Sequence, residues 1–190
     1  LADLDALIDH FQPEGQIDLL GHSMGGTIVS MYSGVRPERI RKLINLEGFG
    51  MAASRPTQAP GRYAKWLNQI KSLRNGGIGL RSYPDAEAVA DRLIRTNPRL
   101  SSDKAQWLAQ YWAKENADGL LDILGHPAHK IVNPYLFRVD EMLAIYRNIS
   151  APVLNVEASQ NDLEKWWQGK YKLEEFHERL KDIKDIHSVT

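Results

Sequence analysis

The chain has 190 residues, 43% hydrophobic and 25% charged, with 24 basic side chains against 24 acidic ones and no cysteine. That length suits one domain or one domain with a modest insertion, and the balanced charge gives no general attraction to polyanions, so nucleic acid is not an expected partner. The lack of cysteine excludes disulfides and thiolate metal sites and fits a reducing, cytoplasmic compartment, while no apolar run approaches the roughly 20 residues of a membrane helix. Leu1-Ala2-Asp3-Leu4-Asp5 lacks the basic and apolar regions of a secretory signal.

Leu4, Leu7, Ile8 and Phe11 recur at helical spacing, which predicts an amphipathic helix over 2–12, ended by Pro13-Glu14-Gly15. Gln16 to Leu20 is brief and apolar and reads as a short, mostly buried strand stopped by Gly21. From Met24 to about Val35, the small and apolar residues Gly25, Gly26, Ile28, Val29 and Met31 predict a helix packed closely on a sheet. Arg41 to Leu46 is a second strand, closed by Gly48-Phe49-Gly50. Strand, helix and strand in so short a stretch make a βαβ unit, which implies a parallel sheet.

Residues 51–150 differ in character. Ser54 to Gly61 is a loop, and helical patterns follow at about 62–73, 85–96, 102–115 and 139–148. Pro84-Asp85 and Ser101-Ser102-Asp103 are start signals for the second and third. No segment here carries a strand signature, so a helical insertion between two strands is expected. Ala151 to Val156 returns to strand character, Glu157 to Asp162 is a polar turn, and a charged helix runs from about Leu173 to Leu180. Ile186 to Val189 has the character to open another strand, so the whole reads as a fragment of a larger sheet.

The segment Gly21-His22-Ser23-Met24-Gly25 carries the chemistry. A serine hydroxyl becomes a nucleophile only beside a base, and it must project clear of its backbone. A sharp strand-turn-helix achieves this and crowds its neighbours, so glycine is expected at Gly21 and Gly25, with Gly26 relieving the helix–sheet contact. The unpaired N–H groups and dipole of the helix start favour negative charge, so the Met24 N–H is a candidate oxyanion donor. The competing reading is a glycine-rich turn whose serine caps the helix.

Leu19 to Val29, followed by Pro37 to Ile44, closely resembles the nucleophile region of α/β-hydrolases, and Ala151 to Val156 resembles that fold's strand before the acid-bearing loop. The resemblance is to bacterial serine hydrolases with a Gly-His-Ser-Met-Gly-Gly turn and a helical cap. It implies an α/β fold: a partial α/β-hydrolase parallel sheet over 1–50 and 151–190, with the cap inserted at 51–150. It also implies a small-molecule substrate, no cofactor, and cleavage of a carboxylic ester or related acyl bond by a Ser-His-Asp triad with Ser23 as nucleophile. Carbon–carbon hydrolysis, haloperoxidase chemistry and a non-catalytic binding role stay open. Serine at the turn argues against dehalogenase or epoxide hydrolase chemistry, for which relatives use Asp.

The family's order is nucleophile, acid, histidine. Asp162 and Glu157 follow the strand ending at Val156; the resemblance favours Asp162 as the acid, with Glu47 at the preceding strand end as alternative. His22 belongs to the turn, His126 and His129 sit in the insertion, and His177 on a charged helix reads as a solvated surface residue. His187 falls where the last strand should begin, whereas the family's base follows that strand. The base is therefore expected beyond Thr190, and further strands before Leu1. Trp107 and Tyr111, with Leu108 and Trp112 beside them, read foremost as packing between cap helices and secondarily as a pocket roof. No carboxylate cluster completes a metal site around His126 and His129, and no metal is expected.

Overall fold

The computed structural model describes residues 1–161 and 163–190. In chain order these form α1 (Ala2–Phe11), β1 (Ile17–His22), α2 (Met24–Val35), β2 (Ile40–Leu46), α3 (Ala59–Arg74), β3 (Ser82–Tyr83), α4 (Ala86–Thr96), α5 (Ser102–Trp112), β4 (Ala113–Glu115), β5 (Leu121–Ile123), α6 (Val139–Arg147), β6 (Val153–Val156), α7 (Leu163–Trp166), α8 (Leu173–Leu180) and β7 (Ile186–Val189). They divide into two units, one of Leu1–Arg55 with Phe137–Thr190 and one of Pro56–Leu136. The α/β class is as expected.

The first unit is built on a four-stranded sheet in the order β1-β2-β6-β7, every pair parallel. Parallel neighbours need crossovers, and α2 makes the one between β1 and β2. Its Val29 and Tyr32 bury against Ile40 and Leu43 of β2 in one apolar core, joined by Met142 and Tyr146 of α6 and Phe176 and Leu180 of α8. The Tyr32 hydroxyl donates to Asp5 at 2.8 Å and so ties α2 to α1. At Gly34 a Cβ would stand 2.2 Å from the Ile145 carbonyl oxygen, which lets α6 lie against α2. β1 runs on through Gly21 and His22 rather than stopping before them. Within these residues it pairs with β2 alone, and Leu20 is 58% exposed.

The second unit holds α3 to α5 and corrects the helix-only expectation. β3, β5 and β4 form a small antiparallel sheet in that order. The helix expected to reach residue 115 stops at Trp112, and Ala113 to Glu115 pair with β5 instead. A side-chain turn explains the reversal. Asn116 Oδ1 accepts from the N–H of Asp118 and Leu120, Gly119 takes φ +75, and Asn116 Nδ2 donates to Asp122 at 3.0 Å. The helix starts behave as their residues dictate, with Asp85 accepting from the Ala88 N–H at 2.8 Å and Ser101 from that of Lys104. The core of this unit is Tyr83, Val89, Ala90, Leu93, Ala105 and Ala109. Trp107 and Tyr111 lie outside it, their rings 5.0 Å apart and inclined by 53°, and they are 55% and 62% exposed, so packing between helices of this unit does not account for them. Among the described residues no helix is long and apolar enough to cross a membrane.

Two buried phenols in the first unit give a pH prediction. Burial pushes Tyr146 up to about 12, and burial also raises Tyr171, whose hydroxyl donates to the Phe49 carbonyl at 2.6 Å. An unfolded tyrosine ionises at roughly pH 10. The folded state therefore holds these protons more tightly, and the resulting stability is full below about pH 10 and lost as pH rises toward 12. Urea unfolding of the whole protein should weaken over that window, and Tyr146→Phe should flatten part of the loss.

Candidate active site

Ser23 stands between the last residue of β1 and the first of α2, with φ +53 and ψ −119. A non-glycine residue in that region is strained, at a cost of about 1–3 kcal/mol, and is held there only by its surroundings. Its N–H donates to the Leu46 carbonyl at 2.8 Å and its C=O accepts from the Thr27 N–H at 3.2 Å, so the end of β2 and the first turn of α2 pin it together. Its side chain makes no capping hydrogen bond to α2. The residue is exposed, on the wall of a cavity of about 550 Å³.

The glycines divide differently from the sequence expectation. A Cβ on Gly21 would lie 2.3 Å from the Gly25 carbonyl oxygen and 2.7 Å from the Gly26 nitrogen. One on Gly26 would meet Asn45 Oδ1 at 2.2 Å. Among the described residues, one on Gly25 would meet nothing within 4 Å. The contact is between the Cα of Gly21 and the backbone of residue 25, so the crowding among the described residues demands glycine at Gly21 and Gly26 but not at Gly25.

Of the other candidates, Met24 opens α2, where the first N–H groups have no partner within the helix, and its side chain lines the cavity 73% exposed. Glu47 also lines the cavity. It has φ +53, its N–H donates to the Val156 carbonyl at 2.9 Å, and its Oε1 accepts from the Ala158 N–H at 3.0 Å. Asp162 lies outside the described residues. Phe49, Met51, Leu163, Trp166 and Trp167 make much of the remaining wall apolar.

Among the histidines, His22 lines this cavity and the other five do not. His126 accepts from the Ala128 N–H through Nδ1 and so caps its own turn. His187 lies within β7, opposite Leu154. His177 is not a free surface residue: its Nε2 is 2.9 Å from both carboxylate oxygens of Glu157, which is only 6% exposed. Glu157 in turn accepts from Asn155, and Asn155 from Asn45. Asn45 and Asn155 escaped the sequence reading, which weighed Glu157 beside Asp162 and read His177 as solvated, although asparagine in two otherwise apolar strands was a visible signal. Among the described residues no three His, Asp or Glu side chains group as metal ligands.

The sequence pattern of the family described as alpha/beta hydrolase fold matches residues 1–188. A serine hydrolase-like protein from Danio rerio is 24% identical over 155 residues, 81% of this chain and 47% of that protein, so the chain spans about half the length of this curated relative. A hypothetical protein from Pseudomonas aeruginosa PAO1 superposes with a TM-score of 0.78 at 22% identity, covering 98% of this chain and 63% of that one. The thioesterase domain from the curacin biosynthetic pathway gives 0.77 at 20% identity, with the same coverages. At such identities these structures speak to the fold alone.

The glycine geometry predicts opposite outcomes for two similar substitutions. Gly21→Ala should destabilise the whole protein by about 3 kcal/mol or more, because backbone must move. Gly25→Ala should lie between neutral and about 1 kcal/mol stabilising, as alanine favours the helix. Urea unfolding of both variants tests the pair, and equal losses would contradict it.

Proposed function

The chain belongs to the alpha/beta hydrolase fold family, and on that premise we propose that it is the nucleophile-bearing part of a serine hydrolase cleaving a carboxylic ester or related acyl bond of a small apolar substrate. The observation that carries this reading is the strained backbone of Ser23. A serine that merely capped α2 would have its oxygen on the helix N–H groups at relaxed dihedrals; Ser23 makes no such bond and stands exposed on the wall of a cavity. The apolar wall of Met24, Phe49, Leu163, Trp166 and Trp167 suits an apolar acyl or leaving group.

In this reading Ser23 Oγ attacks the carbonyl carbon as a histidine takes its proton, and the Met24 N–H stabilises the oxyanion that forms. The histidine then delivers that proton to the leaving group, and water releases the acyl group by the same route. The base is assigned to the remainder of the protein, since the relatives are longer than this chain. Asp162 is the proposed acid that orients it, with Glu47 as the alternative. The proposed cap is the insertion expected at 51–150, and the unit Pro56–Leu136 lies within those bounds, between β2 and β6 in chain order.

A fluorophosphonate probe on the full-length protein should label Ser23, and Ser23→Ala should abolish labelling and lower ester hydrolysis by roughly three orders of magnitude or more. Absence of serine-dependent labelling would sink the enzyme reading in favour of a binding role. Asp162→Asn should lower kcat by about 10⁴-fold while Glu47→Gln stays within tenfold; the reverse result moves the acid to Glu47.

A further inference from the structure

We propose that Asn45 and Asn155, oriented by Glu157, are positioning residues for the Ser23 site, acting through a buried relay of side-chain hydrogen bonds across β2 and β6. The proposal rests on the serine hydrolase reading, because it assigns these residues to the turn that holds the nucleophile.

Asn45 and Asn155 are partners in the parallel register of β2 and β6, and they are 3% and 0% exposed. The relay has a fixed direction. A carboxylate only accepts, so Asn155 must turn its Nδ2 toward Glu157, to whose Oε1 it donates at 2.7 Å. That leaves Asn155 Oδ1 to accept from Asn45 Nδ2 at 2.9 Å. Asn45 Oδ1 is then the atom that accepts from the Gly48 N–H, at 3.0 Å. His177 holds the far end through Glu157.

Between Asn45 and Gly48 lie the residues that matter to the site. The Leu46 carbonyl accepts from the Ser23 N–H, and Glu47 carries its carboxylate to the cavity at a left-handed φ. The same Asn45 Oδ1 occupies the space a Cβ would need at Gly26 and at Gly48. One amide orientation thus sets the turn after β2 and the seat of the first turn of α2. Stability alone gives no reason for this design, since burying an amide pair and a carboxylate costs more than burying leucine or valine. The relay supplies geometry that apolar side chains cannot.

Reversing the relay tests it. In the full-length protein, Asn45→Asp keeps an acceptor for Gly48 but faces Asn155 Oδ1 with a second acceptor, and Asn155 cannot flip without opposing Glu157. Glu157→Gln alone keeps an acceptor for Asn155. Together the two substitutions let the new amide at position 157 donate to a flipped Asn155, which then donates to the new carboxylate at position 45. With a p-nitrophenyl ester as substrate, Asn45→Asp should lower kcat about tenfold or more with KM within about twofold, and hydrogen exchange at the Gly48 amide should quicken about tenfold or more. Glu157→Gln should lower kcat by no more than about threefold, and the double variant should recover most of the Asn45→Asp loss.

Wild-type kcat and Gly48 exchange in Asn45→Asp, or a double variant no better than Asn45→Asp, overturns the proposal. If Asn45→Asp does not fold, the double variant decides: it folds with near wild-type kcat, or the relay has no positioning role. A wild type without Ser23-dependent turnover overturns the hydrolase reading and the positioning role together, whereas an active wild type with indifferent variants overturns the positioning role only.

Discussion

Backbone meets backbone where α2 leaves the sheet, and there is no room for a Cβ at Gly21, Gly26 or Gly48. A contact of this kind cannot relax by changing a rotamer, so it fixes the distance and angle at which the helix begins. The strained dihedrals of Ser23 follow, because the residue must turn from strand to helix within one peptide while its N–H stays on the Leu46 carbonyl. The strain is offset by the other face of α2, where Val29 and Tyr32 bury against the sheet. Without that anchorage, the turn would relax and withdraw the hydroxyl from the cavity.

The sheet has two characters along its length. Toward the start of β2, Ile40 and Leu43 pack in an apolar core at 2% and 1% exposure, and any apolar side chain of similar volume would serve. Toward the carboxyl ends of β2 and β6 the interior becomes polar and directional, through Asn45, Asn155 and Glu157. Packing tolerates substitution, but a directional chain of donors and acceptors does not. Tolerance therefore sits at one end of the strands and exacting geometry at the other, beside the cavity.

What was legible in the sequence follows the range of the interactions involved. Helical spacing and glycine placement within a few residues announce the bounds of α2 and the turn at Ser23, although the dihedrals of Ser23 are held from Leu46, 23 residues on. The small sheet of the second unit does not announce itself, because strands of two and three residues are too short to alternate. Its one local cue, Asn116-Ala117-Asp118-Gly119, is a turn signal masked by the helix-forming Ala113-Lys114-Glu115 before it. The partnership of His177 with Glu157 spans 20 residues and depends on how α8 is rotated, which no local pattern reveals. Gly25 misled for a different reason: the motif marks the crowded position, but not which glycine's missing Cβ relieves it.

The long excursion between β2 and β6 leaves and re-enters the first unit at a clasp. The Ser54 N–H donates to the Phe137 carbonyl at 3.1 Å, and the Phe137 N–H donates to the Ser54 hydroxyl at 3.2 Å. Parallel strands need a crossover in any case, and lengthening one whose ends are already joined adds little closure entropy. Length added beyond the clasp therefore adds little to the cost of joining β2 to β6. The neck thus frees the insertion from the closure that joins the two strands, so chain can be gained or lost there at little entropic cost.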